Sequence, residues 1–439
     1  MIFVPTRDRP SALALALRSH GAARTRAEHA VPVVVVDDST DEQATRAVCE
    51  KAGAVHVGLA ERTRLVDSLA TCKEEREALS FALLPSPRRT TTCVGASRNT
   101  IALLAAGSPF VSLDDDTSGA FFRPKQAERG KSVADPHPNE IVSLADVTSV
   151  RTEAWTALTQ SLGGTLLLRD ARTPTPVRMR IAMTLLGAAG DLGVGTAGQL
   201  LFNSDASQAR IAAGLLDHVL AGGPAARVAT SAQPSVVPFC MMTGFGADAR
   251  ALLPPVLPLG RAQDGLFAWT LRAVDPDACF LHLPLAVAHR QGGARRFDLA
   301  GLHAFGDAPR LVDVVRLAIT EHRGRLPGTT VAERMEALGA ALDTRLTSLA
   351  DLETGWNAQR AAWGRCLHES AQSCPPGAMR AASVALASRL TSKRVTLAAH
   401  AEGRPIVDCV RRFGRLLAAW PTLWARMVDV HASRRSAVA

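Results

Sequence analysis

The chain has 439 residues, 47% hydrophobic and 21% charged, an ordinary globular composition long enough for two or three domains of ~100–200 residues. Its net charge of +9 is concentrated, because residues 380–439 hold eleven Arg and Lys against three acids and so carry +8 of it. The near-neutral remainder argues against a nucleic-acid-binding reading of the whole chain and leaves a basic tail that touches an anionic surface as the alternative, and no apolar stretch reaches the ~18 residues of a membrane span.

The eight cysteines form no CxxC pair and no zinc spacing. Met1-Ile2-Phe3-Val4 runs directly into a strand pattern without resembling a secretory signal. The expectation is a cytoplasmic protein with reduced thiols. Tyrosine is absent and Arg far outnumbers Lys, the bias of a GC-rich genome, from which no chemistry follows.

In chain order, Ile2-Phe3-Val4 reads as a strand closed by Pro5-Thr6. Residues 11–19 read as a helix with Pro10 near its first turn. Val33-Val34-Val35-Val36 is a strand apolar on both faces. It ends in Asp37-Asp38-Ser39-Thr40, which can cap a helix over Glu42–Ala52. A strand over Ala54–Val57 follows, then a helix over Ala96–Ala106 stopped by Gly107. Phe110-Val111-Ser112-Leu113 is the next strand. The β-α alternation predicts a parallel sheet with helices on both faces.

Three carboxylates, Asp114-Asp115-Asp116, follow that strand at once. Adjacent anions repel unless water or a divalent cation neutralises them. The carboxyl end of a strand is also where α/β sheets bind ligands. In strict strand geometry Asp114 and Asp116, two residues apart, share a face. A solvated acidic turn is the alternative.

Residues 123–140 read as a polar loop, Arg180–Leu186 as a strand, and Gly187–Gly195 as either a ligand-facing glycine loop or a plain turn. Residues 206–220 read as a helix. Leu281–Arg290 reads as a strand-like run ending in His289, with His282 ahead of the strand. From about 310 onward the chain reads as helical. In the basic tail, Val410, Phe413, Leu416, Leu417 and Trp420 fall on one helical stripe beside Arg411, Arg412 and Arg415. The stripe fits a peripheral membrane helix or one packed on the protein.

Phe3-Val4-Pro5-Thr6-Arg7-Asp8-Arg9-Pro10 resembles the first strand and loop of family 2-type glycosyltransferases with the GT-A fold. Val34-Val35-Val36-Asp37-Asp38-Ser39 resembles their second strand, and Gly95-Ala96-Ser97-Arg98-Asn99 the helix before their metal motif. Phe110 to Asp116 resembles that Asp-x-Asp motif itself. The resemblance implies a Rossmann-type mixed sheet flanked by helices over about residues 1–305, with an insertion within about 120–235. A mainly α-helical region would occupy 306–439.

It also implies a nucleotide-diphosphate-sugar donor, Mn²⁺ or Mg²⁺, and an unidentified saccharide, lipid-linked or small hydroxyl acceptor. Asp114, Asp116 and His289 would hold the metal. Pro5, Thr6, Arg9, Asp38, Arg98, Asp114 and Asp115 would line the donor site. Asp264 would be the general base of an inverting transfer. The segment Gly260-Arg261-Ala262-Gln263-Asp264 is similar to the family's acceptor side, except that Gln263 replaces the first acid of its acidic pair. The alternatives are a surface role for Arg98, a capping role for Asp264 and a metal-free role for His289. A sugar-nucleotide nucleotidyltransferase would carry a glycine-rich loop where Arg7-Asp8-Arg9-Pro10 stands. A non-catalytic binding protein keeping the fold is the other rival.

Overall fold

The structure is a computed structural model. It describes residues 1–24, 31–84, 94–126, 135, 137–152, 154–168, 176–192, 207, 218, 223–290, 310–344, 349–374, 376–392, 394–396, 400–401 and 404–436.

The N-terminal strands β1 (Ile2–Thr6), β2 (Val33–Asp37), β3 (Val55–Val57) and β4 (Pro109–Leu113) lie in the order β3-β2-β1-β4, all parallel. Their period-2 alternation divides two cores. Phe3, Val34 and Val36 face one cluster, while Ile2, Val4, Val33 and Val35 face the other. The second face is covered by Leu13 and Leu17 of α1 (Pro10–Arg24) and Cys49 of α2 (Glu42–Ala52). The first is covered by α3 (Leu59–Leu69), α4 (Lys73–Leu83) and α5 (Val94–Leu104), and behind them by the C-terminal helices.

Beyond β4 the sheet is not parallel. Strand β12 (Gly244–Asp248) inserts antiparallel between β4 and β9 (Val177–Gly190), and β13 (Ala278–His289) pairs with β9 in parallel. Then come β5 (Thr117–Pro124) and β7 (Val147–Val150), both antiparallel to their neighbours. Short strands β8 (Thr165–Leu168) and β11 (Gln233–Ser235) add to β9 and β13, and α6 (Ala154–Thr159) packs over β4 and β12. Among the described residues this is one 13-stranded mixed sheet, flanked by helices and followed by a mainly helical region. In that region α10 (Leu349–Ser373) packs along α11 (Ala378–Ser392).

Several sequence expectations need correction. The cap of α2 is Asp41, whose Oδ1 accepts from Gln43 N at 3.0 Å, and none of Asp37, Asp38, Ser39 and Thr40. The strand expected to end at Leu186 runs on to Gly190. Gly187 lies inside it because a Cβ there would sit 2.0 Å from the Arg227 carbonyl oxygen on β10 (Ala225–Val228). His282, read as preceding the last strand, lies within it. The 123–140 loop is taken up at its ends by β5 and by β6 (Glu140–Ser143), and most of its middle lies outside the described residues. So do Gly193 to Gly195 and, except for 207 and 218, the helix expected over 206–220.

The basic tail forms α12 (Ile406–Ser436), preceded by a short β14–β15 hairpin (His400–Ala401 with Arg404–Pro405) that interrupts the expected all-helical run. Its stripe of Val410, Phe413, Leu416, Leu417 and Trp420 is wholly buried in the main core, so the membrane-surface reading of these side chains is not supported. No helix among the described residues is long and apolar enough to cross a membrane. Trp420 Nε1 donates to the Leu253 carbonyl at 2.8 Å, and Arg426 forks onto Glu75 of α4. Gly414 meets Gly339 of α9 (Val331–Thr344) so closely that a Cβ on Gly339 would lie 2.5 Å from the Gly414 carbonyl oxygen. Glycine on both helices lets their backbones touch.

His282 is 1% exposed, and neither ring nitrogen has a hydrogen-bond partner among the described residues. Burial pulls its pKa down to about 3. In the unfolded chain it takes up a proton near pH ~6.5, so this buried neutral ring contributes acid lability. Stability is full above that pH and falls as pH drops from there toward the folded value. His282→Leu is therefore expected to flatten the acid limb of the stability curve. Between neutrality and about pH 5 the variant should lose about 2 kcal/mol less than wild type. Urea unfolding across that window measures it, and parallel curves would refute the assignment.

Candidate active site

The carboxyl ends of β1, β2 and β4 open on one side of the sheet, and a cavity of about 740 Å³ lies there. Every site residue named from the sequence lines it: Pro5, Thr6, Arg9, Asp38, Arg98, Asp114, Asp115, Asp116, Asp264 and His289.

The loop after β1 is fixed by the loop after β2. Asp8 adopts a left-handed φ of 53°, its N–H donates to Ser39 Oγ at 2.7 Å, and its Oδ1 accepts from Thr40 N at 2.7 Å. Asp is among the few residues that visit this conformation readily. The lacing holds Arg7 and Arg9 at the cavity.

Asp114 to Asp116 form the tight turn between β4 and β5, closed by Thr117 N donating to the Asp114 carbonyl at 3.1 Å. The expectation that Asp114 and Asp116 share a face by strand geometry is thus corrected, because the turn sends each carboxylate to a different partner. Asp114 Oδ1 lies 3.6 Å from Arg98 Nη2. Asp115 Oδ2 accepts from Thr6 Oγ1 at 2.7 Å. Asp116 Oδ2 accepts from Arg9 at 2.9 Å, and its Oδ1 lies 3.1 Å from His289 Nε2. That last approach is an ion pair without hydrogen-bond alignment, so Asp116 Oδ1 is a buried oxygen lacking an aligned donor.

The electrostatics follow from crowding. Burial, reinforced by Asp116 against the pull of Thr6, raises Asp115 to about 6. Burial also raises Asp114, opposed by Arg98 and aided by the adjacent carboxylates. Asp116 is held low despite burial, because His289 and Arg9 stabilise its charge. His289 is raised to about 9, since Asp116, the Asp191 carbonyl at 2.6 Å and Asp114 together outweigh its burial.

Asp38 is 5% exposed, and its Oδ1 accepts from both terminal nitrogens of Arg62, at 3.2 and 3.1 Å. Arg62 is 1% exposed and also donates to the carbonyls of Asp37 and Leu83. Asp37 is paired with His56 Nε2 at 3.0 Å. Sequence reading missed Arg62, yet a signal existed. It shares the buried face of α3 with Val66 and Leu69, an arginine where helical spacing asks for an apolar residue.

Asp264 lies in the first turn of α7 (Gln263–Val274), and its Oδ1 accepts from Gly265 N at 2.9 Å. The N-cap is Ala262, with φ 64°, so Asp264 is not the capping residue. Gln263 is buried and donates to the Gly260 carbonyl, which supports the turn into the helix. Arg98 is only 10% exposed at its side chain, which sets aside the surface reading for it.

Among the described residues no three His, Cys, Asp or Glu side chains converge to hold a metal ion by themselves. Asp116 and His289 do supply an oxygen and a nitrogen at one point, with Asp116 Oδ1 lacking an aligned donor. With His289 Nδ1 donating to the Asp191 carbonyl, only its Nε2 could face an ion, and only after losing its proton, so this oxygen–nitrogen pair would need substrate phosphates to complete the shell.

No family model matches the chain, and no curated protein matches it. Among solved structures it is similar to glucosyl-3-phosphoglycerate synthase from Mycobacterium tuberculosis in complex with Mn²⁺, UDP and glucosyl-3-phosphoglycerate. The identity is 12%, over 75% of this chain and 80% of that one, with a TM-score of 0.34. The same enzyme with Mg²⁺ and UDP gives 14% identity over the same shares and a TM-score of 0.35. A structure described as a mycobacterial protein gives 15%, over 75% of each chain, at 0.33. At these values the likeness carries no argument about what this chain binds or does.

Proposed function

We propose that the chain is a metal-dependent glycosyltransferase of the GT-A type that moves a sugar from a nucleotide-diphosphate sugar to a hydroxyl acceptor. The observation that carries this reading is the convergence of the Asp114–Asp116 turn, Arg9, Arg98, Asp38, His289 and Asp264 on one cavity at the carboxyl ends of parallel strands.

In this reading Asp38, its carboxylate fixed by Arg62, accepts a hydrogen bond from the nucleoside. Arg9 and Arg98 offset the charge of the diphosphate. Asp116 and His289 would hold the divalent cation, with Asp114 beside them, once its binding displaces the His289 Nε2 proton, and the cation would supply Lewis acidity to the departing phosphate. Asp264 takes the proton from the acceptor hydroxyl as that oxygen attacks the anomeric carbon, with inversion.

Thermal shifts with UDP, GDP, CDP and dTDP, each with and without Mn²⁺, test the donor half. A ligand at ~100 times its dissociation constant adds ~2.7 kcal/mol of stability. A metal-dependent shift for one nucleotide supports the reading and names the base, and no shift for any refutes it. The acceptor half is tested by Asp264→Asn. The variant should keep the nucleotide shift and lose about 10²–10⁴-fold in turnover, the usual worth of a general base. Near-wild-type turnover would remove Asp264 from the mechanism.

A further inference from the structure

Away from the carboxylate turn, the same cavity is lined by Arg261, Trp269, Arg310, Asp313, Arg316 and Trp363. Trp269 belongs to α7, Arg316 to α8 (Leu311–His322) and Trp363 to α10. The Arg316 guanidinium carbon lies 5.9 Å from the centre of the Trp269 ring and 5.3 Å from that of Trp363. Two indoles therefore hold the cation by cation–π contact.

Its Nη2 is buried without a hydrogen-bond partner, and no described carboxylate lies within ion-pairing distance of it. The nearest candidate, Asp313 on the same helix, is gripped on both oxygens by Arg310, at 2.9 and 3.0 Å. A largely buried cation whose nearby carboxylate, Asp313, is already taken by Arg310 costs free energy, and for packing alone an apolar side chain of similar volume serves better. The fixed planar fork of an arginine is the geometry that receives a phosphate or carboxylate.

We propose that Arg316, clamped between Trp269 and Trp363, is the anion-recognising residue of the acceptor subsite, so the acceptor carries a phosphate or carboxylate close to the hydroxyl that receives the sugar. The proposal rests on the glycosyltransferase reading of the same cavity. Its length scale comes from α7, where Trp269 lies five residues beyond Asp264, about 7.5 Å of helical rise. That separation suits a small hydroxylated acid better than a long chain. Arg261, exposed and two residues before α7, adds a second positive charge on the approach.

The test is a fluorescence titration of the full chain, read through its tryptophans, with inorganic phosphate, acetate and uncharged glycerol. It is run in saturating nucleoside diphosphate and Mn²⁺, so that the diphosphate site is filled. Saturable quenching by phosphate or acetate and none by glycerol is expected, and the stronger of the two anions identifies the acidic group. Trp363→Phe should remove much of the signal. Arg316→Gln should weaken the anion by about tenfold or more, the worth of one charged hydrogen bond, while the nucleotide shift is kept. If Arg316→Gln fails to fold, Arg316→Lys keeps the charge but not the fork, and weaker anion binding at an unchanged melting temperature supports the proposal equally.

No saturation by either anion, an equal response to glycerol, or undiminished binding in the Arg316 variants would overturn the proposal while leaving the donor site standing. Failure of every nucleotide to bind would strike the glycosyltransferase reading instead. The anion titration without nucleotide would then decide the Arg316 site on its own.

Discussion

Asp116→Asn is expected to abolish the metal-dependent part of nucleotide binding and to lower turnover by about a thousandfold, the loss of several kcal/mol of charge stabilisation at the leaving group. Asp116 is singled out because it alone of the three carboxylates is both held in its ionised form and paired with His289. An ion arriving at its Oδ1 would exchange only with the His289 ion pair, at 3.1 Å and without hydrogen-bond alignment. Asparagine keeps the size but removes the charge that Arg9 and His289 share, so the metal loses its anchor while the fold persists. Asp115→Asn is the internal control. Asp115 accepts from Thr6, and an amide oxygen can accept that bond equally well, so its loss should be under about tenfold. Calorimetric titration of Mn²⁺ and nucleoside diphosphate into both variants, with donor turnover alongside, separates them. An Asp116→Asn protein with the wild-type Mn²⁺-dependent response would remove this carboxylate from the metal site.

Arg62→Met should destabilise the protein by about 3–5 kcal/mol, the usual cost of removing one partner from a buried ion pair. Arg62 and Asp38 are each almost fully inaccessible, and the arginine also satisfies the carbonyls of Asp37 and Leu83. Methionine fills much of the volume, but it removes the four hydrogen bonds that Arg62 gives to the Asp38 carboxylate and the two carbonyls. The double variant Arg62→Met/Asp38→Asn, which also removes the buried negative charge, should recover part of the loss. The coupling between the two sites should exceed about 1 kcal/mol, as for contacting charged pairs. Urea unfolding near neutral pH measures all three proteins. Additive losses, or a near-wild-type Arg62→Met, would show that Asp38 is held by something else. Because Asp38 also lines the cavity, any Arg62→Met protein that folds should bind nucleotide more weakly although Arg62 does not line the cavity.

The N-terminal strands were legible because their information is local. Val33 to Val36, apolar at four consecutive positions, can be stable only with both faces covered, and that is where β2 lies. Likewise the carboxylate turn was visible as charges placed directly after a buried strand. His282 was misplaced because Pro284 reads locally as a break. The strand runs through it on its pairing with β9 and β5, with its register shifting on either side of the proline. The tail stripe was correctly seen as amphipathic, but its partner was open, since membrane and protein core ask for the same apolar spacing.

Local patterns in the chain were enough to set the β-α alternation, the period-2 division of the strands into two faces, and the acids at the strand ends. Each of these depends on residues within one or two turns of chain. Folding was needed to bring β12 antiparallel beside β4, to carry Arg62 from α3 onto Asp38 after β2, and to clamp Arg316 of α8 between indoles from α7 and α10. These are pairings between distant segments, selected by burial and charge compensation in the folded chain, and no local propensity encodes them.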